Sequence, residues 1–540
     1  MFESRFKNCR VGKKGMVAAA HPLAGLAGIR TLWSGGNAMD ACLTMAGVTS
    51  VVLPHMCGLG GDAFLIYYDA ATGDVAALNG SGVAGDGATL ERFAGRGEIL
   101  PQHGIHSVAV PGAPLVYDLA CRRFGTFSLE KCFEVGAQIA ERGFVVSHGF
   151  EKAVMAGKNK LSHYVEASRV FLPGGEVPRA GTLFKQEDLA RTLREFAAQG
   201  AEYFYKGPFA EKFYETNHRL GGDFSGAEFA RHVEDSPTWY KPISTGYRGY
   251  TLLETAPVSA GFIVLEEMNL LEHFDAANLD PRGPEAIDLM VKIKKTAFSD
   301  RNAFAGDPAV SSFDVSKIIS KDYAREAVKQ IHEAAGGAIL LVNQGQGDTT
   351  SFVAWDEDGN CCSFIHSIAF SFGSGVVVPG TGVLLNNRAG RSFNLIPGHP
   401  NCLEPGKRPM HTLNCYMVLR DGSPFIVGGT PGGDGQPQWN MQMLSLMLDH
   451  GAGPQDAADF PRWISTPGTD MVALKNPPGL ILESRFPADT IARLADMGHD
   501  VRIVGAYSGG GGAQIIMKDQ ETGALLAGSD RRVEGIALGF

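Results

Sequence analysis

The sequence changes its secondary-structure pattern at Thr349. From about Phe127 to His332, helix-like apolar spacing dominates, as in EDLARTLREFAAQGAEYFY and PEAIDLMVKIKKTAFSDRNAF. After Thr349 the pattern is typical of strands: TSFVAWDEDGNCCSFIHSI predicts two strands around an Asp-Gly-Asn turn, and TLNCYMVLRDGSPFIVGG predicts two more around Asp421 and Gly422. The chain must therefore combine a helical part with antiparallel hairpins.

The first third of the chain mixes both kinds of element. HPLAGLAGIRTLWSGGNAMDACLTMAGVTSVVL carries helical spacing, whereas GDAFLIYYDAATGDVAAL predicts a hairpin that turns at Ala71–Gly73. No internal repeat and no low-complexity linker separates these parts. A length of 540 residues allows two to four average domains or one large layered assembly with a big core.

Composition excludes several classes of protein. Lys and Arg total 48 and Asp and Glu total 58, which gives a net charge of −10 and argues against a nucleic-acid partner. The N-terminal MFESRFKNCRVGKKGMVAAAHPLAG has no apolar run of signal-peptide length, and no segment approaches the ~20 apolar residues that cross a bilayer. We therefore expect a cytoplasmic protein with no membrane partner.

The nine cysteines give no sign of a metal or disulfide framework. Their number is odd and no C-x-x-C pair occurs, so neither a zinc knuckle nor a set of bridges is indicated. Cys361 and Cys362 alternate across a predicted strand, and we expect at least one of them to fill the core.

Thr349 stands after a polar Gly-Gln-Gly-Asp and before a predicted strand. A threonine hydroxyl is a weak nucleophile unless a base lies beside it, and the residue's own α-amino group can be that base once the residue is N-terminal. The pKa of such an amine is about 7.7–8.0, which suits a general base. The chain would first have to be cut before Thr349. Threonine is also common in strands, so a purely structural role stays open at this point.

A second glycine-rich stretch, GGTPGGDGQPQWNMQMLSLMLDHG, joins a predicted strand to a predicted helix. Its exposed backbone N–H groups could stabilise an oxyanion or bind an anion. Gln436 and Pro437 stand where a P-loop requires Lys and Ser or Thr, which disfavours a nucleotide site. The spacing of Trp439, Met443, Leu446 and Met447 predicts one apolar helix face. A simple strand-to-helix turn is the structural alternative.

Other catalytic patterns are missing from the sequence. No G-x-S-x-G elbow supports an α/β-hydrolase, and the His332-Glu333 pair lacks the second histidine of H-E-x-x-H. His366 and His411, taken alone, are more often hydrogen-bonded structural residues than catalysts.

Several motifs taken together resemble the γ-glutamyltransferase family of N-terminal-nucleophile hydrolases. They begin at GMVAAAHPLAGLAGIRTLWSGGNAMDACLTMAGVTSVVLPHMCGLGGDAFLIYYD and include DTTSFVAWDEDGN, FGSGVVVPGTGVLLNNR, PGKRPMHTLN, GTPGGDGQPQ and GSDRRVEGIALGF. The resemblance covers nearly the whole chain, and the motifs follow the family order.

This resemblance implies an α/β fold with four αββα layers and a self-cleaving precursor. Cleavage would fall between Asp348 and Thr349, giving fragments 1–348 and 349–540 that stay together as a heterodimer or as a dimer of heterodimers. Thr349 would be the nucleophile and its new amine the base. Ser367 matches the position of a hydroxyl that bonds the nucleophile, and Gly432 and Gly433 match the oxyanion-hole pair. No cofactor or metal is implied.

The chain departs from the family where a γ-glutamyl group would bind. The stretch LNGSGVAGDGATLERF has no arginine at the place matching the one that grips the α-carboxylate. Arg391 in LLNNRAGRSF stands about where the family has an acidic residue for the α-ammonium, which an arginine would repel. His411 and Thr412 replace the family's serine pair after KRP.

These departures predict a different substrate. The forked donors of Arg388 and Arg391 suit a carboxylate, so we expect a small amide that bears a carboxylate without a neighbouring ammonium. Such altered pockets resemble those of oxamate amidohydrolase and the cephalosporin acylases, and oxamate is the smaller fit. His411 and Thr412 are the other predicted substrate-binding residues.

Three alternatives stay open from the sequence. One or both arginines could be structural or solvated. The protein could be a glutathione hydrolase or transpeptidase, or a non-catalytic relative that serves as a binding protein.

Overall fold

The computed structural model describes residues 9–235, 239–331, 340–341, 349–474 and 476–540. The strands, in chain order, are β1 (Arg10–Gly12), β2 (Met16–Ala19), β3 (Asp62–Asp69), β4 (Asp74–Gly80), β5 (Phe144–Val145), β6 (Leu183–Phe184), β7 (Ile243–Tyr247), β8 (Tyr250–Glu254), β9 (Leu340–Leu341), β10 (Thr350–Trp355), β11 (Cys361–Ser367), β12 (Tyr416–Arg420), β13 (Ser423–Gly429), β14 (Trp463–Thr466), β15 (Gly479–Glu483), β16 (Val501–Val504), β17 (Gln514–Lys518), β18 (Leu525–Ser529) and β19 (Ile536–Gly539).

The helices, apart from short 3₁₀ turns, are α1 (Pro22–Trp33), α2 (Ala38–Val52), α3 (Ala113–Phe124), α4 (Leu129–Arg142), α5 (His148–Ser162), α6 (Val165–Phe171), α7 (Glu187–Gln199), α8 (Ala201–Tyr205), α9 (Pro208–Arg219), α10 (Glu228–Asp235), α11 (Gly261–Leu271), α12 (Pro284–Phe304), α13 (Val315–Ile318), α14 (Lys321–Ala327), α15 (Arg388–Ser392), α16 (Gly435–Leu448), α17 (Pro454–Asp459), α18 (Met471–Leu474) and α19 (Ala488–Asp496).

Two antiparallel sheets lie face to face in the middle of the molecule. One has the strand order β1-β18-β17-β13-β12-β8-β7, and the other has the order β19-β2-β10-β11-β3-β4. Apolar side chains from both sheets, including Phe64, Val353, Val427 and Ile516, form one buried cluster between them. Helices α1, α2 and α3 pack on the outside of the six-stranded sheet, and α11 and α17 pack on the outside of the seven-stranded sheet. The predicted four-layer αββα architecture is confirmed.

Both central sheets are built from residues on either side of Thr349. In the six-stranded sheet, β10 pairs with β2, and β11 pairs with β3. In the seven-stranded sheet, β12 pairs with β8, and β18 pairs with β1. Residues 1–348 and 349–540 therefore contribute interleaved strands to one unit, while their division into two fragments stays a prediction.

The predicted hairpins are confirmed. Strands β3 and β4 form the first, β10 and β11 the second, and β12 and β13 the third. In the second, the backbone N–H and the side-chain amide of Asn360 each donate to the Asp356 carboxylate over 2.9 Å. Gly359 takes a φ of 96° in this turn. Asp-Gly-Asn therefore closes this turn by the chemistry expected of it.

Helix α16 differs from its predicted amphipathic form. Every residue from Gly435 to Met447 is buried, including the polar Gln436, Gln438 and Asn440. Its polar side chains bond within the protein, as Gln438 does to the Ser465 carbonyl over 3.3 Å. The helix is enclosed on all sides because it lies between α11, α17 and β14. Apolar spacing alone could not show that its polar face is also covered.

Cys361 and Cys362 are both fully buried, which confirms that they fill the core. The nine cysteines all lie in the described ranges, and none of them forms a disulfide there. Among the described residues, no group of three or more His, Cys, Asp or Glu side chains could hold a metal ion. None of the helices in the described ranges is long and apolar enough to span a bilayer. The cytoplasmic location stays a prediction.

Helix α11 buries two adjacent glutamates, and Glu267 provides a test of this burial. Burial raises the pKa of Glu267 to about 8, and the nearby Lys294 ammonium opposes that shift. The folded state therefore binds more protons than the unfolded state between pH 4.5 and 8, so the free energy of unfolding falls as pH rises through this window. In Glu267→Gln this loss is absent. We expect the stability of Glu267→Gln relative to wild type to increase by a few kcal/mol from pH 5 to pH 8, measured by urea denaturation.

Glu272 at the end of α11 is the matched control. Burial alone would raise its pKa, but bonds from Lys321 and the Arg248 backbone N–H hold it below its usual value. Its stabilising contribution is therefore present above the unfolded pKa and is lost as pH falls. Glu272→Gln should lose stability relative to wild type as pH rises. A pH-independent difference for Glu267→Gln would contradict the raised pKa of Glu267.

Candidate active site

Thr349 lies at the N-terminal end of β10, in the middle of the six-stranded sheet. Its hydroxyl donates to Ser367 Oγ over 2.9 Å. The strand register pairs Thr350 with His366, so Thr349 lies opposite the last residue of β11. Thr349 and Ser367 are 1% and 0% exposed. The fold therefore brings together the predicted nucleophile and its predicted hydroxyl partner.

The same end of β11 lies beside a buried ion pair. Ser367 pairs with Asp62 at the start of β3. The Asp62 carboxylate accepts a bond from Arg388 Nε over 3.0 Å, and both side chains are fully buried. Burial raises the pKa of Asp62 to about 6, while the Arg388 charge acts in the opposite direction. Arg388 is therefore held at β3, one strand from Ser367 and two strands from the predicted nucleophile.

The two terminal nitrogens of the Arg388 guanidinium carry unused hydrogen-bond donors. Within the described residues, neither Nη1 nor Nη2 has a hydrogen-bond partner. Burial lowers the pKa of Arg388. A buried cation with unused donors is costly unless a further partner pairs with it. Two N–H groups in a fork match the two oxygens of a carboxylate. The unused N–H groups of Arg388 could therefore pair with an anionic ligand, and carboxylate binding by Arg388 stays a prediction.

His411 and Thr412 also have idle polar atoms. In the part of the chain that the structure describes, the two ring nitrogens of His411 have no hydrogen-bond partner. The Thr412 hydroxyl has none there either. The His411 ring meets Phe64 edge-on, with ring centres 5.1 Å apart. Burial, and then the charges of Arg388 and Arg391, hold the pKa of His411 well below its usual range. The imidazole is therefore neutral near pH 7, with one donor and one acceptor.

The turn between β13 and α16 contains the two glycines predicted to form the oxyanion hole. Gly432 and Gly433 have φ values of 130° and 57°, in the region that favours glycine. A Cβ on Gly432 would lie 2.1 Å from the Trp439 indole, so no side chain fits there. The Gly435 N–H donates to the Gly432 carbonyl over 3.0 Å and starts the helix. Backbone N–H groups at such a helix entry can stabilise developing negative charge.

Arg391, the second predicted carboxylate-binding arginine, is already bonded within the protein. Its Nε and Nη2 each lie 2.7 Å from Asp470 Oδ2, and its Nη1 donates to the Ala369 carbonyl over 2.9 Å. The guanidinium carbon lies 4.5 Å from the centre of the Phe370 ring. All three guanidinium nitrogens of Arg391 have protein partners, whereas among the described residues only Nε of Arg388 has one.

Sequence reasoning did not single out the carboxylates that hold the two arginines. A buried arginine requires an anionic partner, but the sequence contains 58 acidic residues and does not say which of them is close. The fold selects Asp62 and Asp470. Asp348, the other residue of the predicted cleavage site, lies outside the described residues.

His366 has the structural role expected of it. Its ring bonds the Tyr117 hydroxyl at 2.7 Å and the Thr49 hydroxyl at 3.0 Å, on the helix side of the six-stranded sheet. Burial lowers its pKa to about 3, so it is neutral near pH 7.

The Thr349–Ser367 hydrogen bond yields a direct prediction. If Thr349 is the nucleophile as predicted, we expect Ser367→Ala to slow amide cleavage by about 10-fold to 100-fold, because Thr349 loses the partner that orients its hydroxyl. Ser367→Thr keeps a hydroxyl and should retain most of the rate. Initial rates would be compared at equal concentrations of protein shown to be folded by circular dichroism. Equal rates for the two variants would mean that this bond does not orient Thr349.

Comparison with known proteins extends over nearly the whole chain. A profile of the family described as Gamma-glutamyltranspeptidase matches residues 24–540. The glutathione hydrolase-like YwrD proenzyme of Bacillus subtilis (strain 168) is 36% identical over 534 residues, which cover 98% of this chain and 99% of the relative. The oxamate amidohydrolase proenzyme of Klebsiella pneumoniae subsp. pneumoniae is 32% identical over 544 residues, which cover 98% and 99%.

A solved structure is similar in fold over a comparable length. The crystal structure of cephalosporin acylase from Bacillus halodurans matches with a TM-score of 0.89 and 32% identity, covering 99% of this chain and 97% of the acylase chain. The chain therefore belongs to the gamma-glutamyltranspeptidase family and is an N-terminal-nucleophile amidohydrolase that acts on amide C–N bonds.

Proposed function

We propose that the protein is a self-cleaving amidohydrolase for a small acyl amide that bears a carboxylate, with oxamate as the favoured type. The observation that carries this proposal is the pair of unpaired terminal nitrogens on Arg388. This fully buried side chain is bonded to Asp62, one strand from Ser367 of the Thr349–Ser367 pair. A buried cation of this kind recognises an anion close to the bond that the nucleophile attacks.

Processing comes first in this proposal. Cleavage between Asp348 and Thr349 frees the α-amine of Thr349 and leaves fragments 1–348 and 349–540 paired as a heterodimer. The names of the Bacillus subtilis and Klebsiella pneumoniae relatives both include the word proenzyme, which supports a precursor here. The interleaved strands of the two sheets would hold the fragments together after the cut.

The reaction then consists of two acyl transfers. Thr349 Oγ attacks the amide carbonyl carbon while the α-amine takes its proton, and the backbone N–H groups of Gly432 and Gly433 stabilise the oxyanion. The C–N bond breaks as the proton passes to the leaving nitrogen, which departs as ammonia or an amine. Water then attacks the Thr349 ester, with the amine as base again, and releases the acid. With oxamate the products are oxalate and ammonia.

Specificity in this proposal comes from the charge and size of the pocket. Arg388 pairs with the substrate carboxylate, and the neutral imidazole of His411 and the hydroxyl of Thr412 supply further hydrogen bonds. Arg391 places a second positive charge in the same region, as its effect on the pKa of His411 indicates. A substrate α-ammonium would be repelled by both arginines. This favours an acid amide over a γ-glutamyl compound.

A substrate panel tests the proposal. Purified protein would be incubated with oxamate, a glutaryl amide and a γ-glutamyl anilide, and the release of ammonia or amine would be measured with and without a dipeptide acceptor. We expect the highest kcat/KM for a small carboxylate-bearing amide and no stimulation by the acceptor.

Each other outcome identifies a different function. Faster turnover of the γ-glutamyl anilide, stimulated by dipeptides, would make the protein a glutathione hydrolase or transpeptidase, in line with the name of its Bacillus subtilis relative. A chain that is never cut and cleaves none of the amides would be a non-catalytic binding protein. The intact Thr349–Ser367 bond argues against that last reading.

A further inference from the structure

A path of hydrogen bonds leads from the predicted nucleophile to Arg391. Thr349 Oγ1 donates to Ser367 Oγ over 2.9 Å, and the Ala369 N–H donates to the same Ser367 oxygen over 2.9 Å. The carbonyl of Ala369 accepts from Arg391 Nη1 over 2.9 Å. One end of the guanidinium is thereby fixed to the segment that holds the Thr349 hydroxyl.

The other end of Arg391 is fixed to the oxyanion turn. Its Nε and Nη2 bond the Asp470 carboxylate. The backbone N–H groups of Thr469 and Asp470 donate to Asp434 Oδ2 over 2.9 and 3.3 Å. Asp434 directly follows Gly433 in the chain. The same guanidinium thus connects the nucleophile segment with the residue that follows the predicted oxyanion glycines.

Little space is left around this connection. A Cβ on Gly433 would lie 2.5 Å from Arg391 Nη2, so the guanidinium is packed directly on the turn. Phe370 covers one face of the guanidinium. Arg391 is 2% exposed and Asp470 is 3% exposed. A shift of the guanidinium therefore has to move the turn, the Ala369 segment or both.

We propose that Arg391, held by Asp470, is a positioning residue that sets the distance between the Thr349 hydroxyl and the Gly432–Gly433 turn. This inference rests on the proposed function and changes the part assigned to Arg391 by sequence reasoning. Arg391 does not grip the substrate carboxylate, because each of its nitrogens is bonded to the protein; that task belongs to Arg388. A misplacement of about 1 Å in such a site can lower the rate by about 100-fold.

The rate of self-cleavage tests this inference without knowledge of the substrate. Precursor made by cell-free translation would be sampled over time, and the fraction cut before Thr349 would be measured by intact mass. We expect Arg391→Met to slow the cut by about 100-fold, because the same nucleophile and oxyanion groups perform it. Arg391→Lys should lie between Arg391→Met and wild type. The double variant Arg391→Met with Asp470→Asn removes both buried charges. It replaces Arg391→Met in the self-cleavage assay if that single variant fails to fold.

Arg248→Met is the matched control. Arg248 also pairs with a buried aspartate, Asp449, over 3.0 Å, but at the C-terminal end of α16, the opposite end from Asp434. Its precursor should be cut within about 3-fold of the wild-type rate. A general loss of stability on removal of a salt bridge would slow both variants, whereas the positioning role slows only the Arg391 variants.

Steady-state kinetics separate positioning from substrate binding. Processed enzyme carrying Arg391→Met should lose kcat on oxamate and on the neutral oxamide by similar factors, with KM changed by less than about 3-fold. A rise in KM for oxamate alone would show that Arg391 grips the carboxylate and would overturn the inference. If the wild type cuts itself and Arg391→Met does so at the same rate, the inference is overturned as well. A wild-type chain that is never cut would instead refute the proposed function.

Discussion

Thr349→Ala should remain a single 540-residue chain under conditions in which the wild type is cut into two. In the proposed mechanism, this hydroxyl attacks in both self-cleavage and substrate hydrolysis, so we expect its loss to lower amide turnover by at least about 10⁴-fold. Intact-mass spectrometry under denaturing conditions measures the first effect and ammonia release measures the second. The smaller wild-type fragment should begin at Thr349.

The neighbouring Thr350 provides a control of the same residue type. Its side chain is equally buried, and its hydroxyl has no hydrogen-bond partner among the residues that the structure describes. Thr350→Val should therefore fold, be cut and turn over amides at close to the wild-type rate. Thr349→Ser, which keeps a hydroxyl, should still be cut. Cleavage of Thr349→Ala at the same bond would eliminate Thr349 as the nucleophile.

Arg388→Met should lower kcat/KM for oxamate by about 10²-fold to 10³-fold. Loss of one partner from a buried charge pair costs about 2–5 kcal/mol, and each 1.4 kcal/mol corresponds to tenfold. The loss should appear mainly in KM, since the carboxylate is bound in both the ground state and the transition state. With oxamide, which has an amide in place of the carboxylate, the same substitution should have little effect on KM.

Folding has to be separated from binding in this experiment. Arg388→Met leaves Asp62 buried without its cation, which can destabilise the protein by about 3–5 kcal/mol. The double variant Arg388→Met with Asp62→Asn removes both charges and should recover most of the melting temperature without recovering oxamate affinity. Equal losses on oxamate and oxamide would contradict carboxylate recognition by Arg388.

The sequence allowed much of the fold to be predicted where the signal was local. The three hairpins were predictable because alternating apolar residues flank turn residues such as Asp421 and Gly422. Helix α16 was predictable as a helix but not as an enclosed one, because its polar side chains find partners on elements distant in sequence. Gln438, for example, bonds residue 465.

The site, like the fold, was predictable where its residues belong to local motifs and not where it depends on contacts distant in sequence. Thr349, Ser367 and the two glycines belong to short motifs, and the structure brings Thr349 and Ser367 within hydrogen-bond distance. The difference between Arg388 and Arg391 was not predictable. The two arginines lie three residues apart, yet one has idle donors and the other is bonded on all three nitrogens. That difference depends on Asp62 and Asp470, which only the tertiary fold brings close.

The interleaving of strands across position 349 bears on how the protein can be made. Once the chain is cut as proposed, neither fragment can complete a sheet, because β2 lies between β19 and β10, and β8 adjoins β12. Assembly from separate fragments becomes a bimolecular reaction whose yield depends on concentration, while the precursor closes the same sheets within one molecule. An enzyme denatured after the cut should therefore refold poorly on dilution, whereas the uncut precursor refolds at a rate independent of concentration. We therefore expect the two sheets to form efficiently before the cut, whereas separated fragments would form them again only at high concentration.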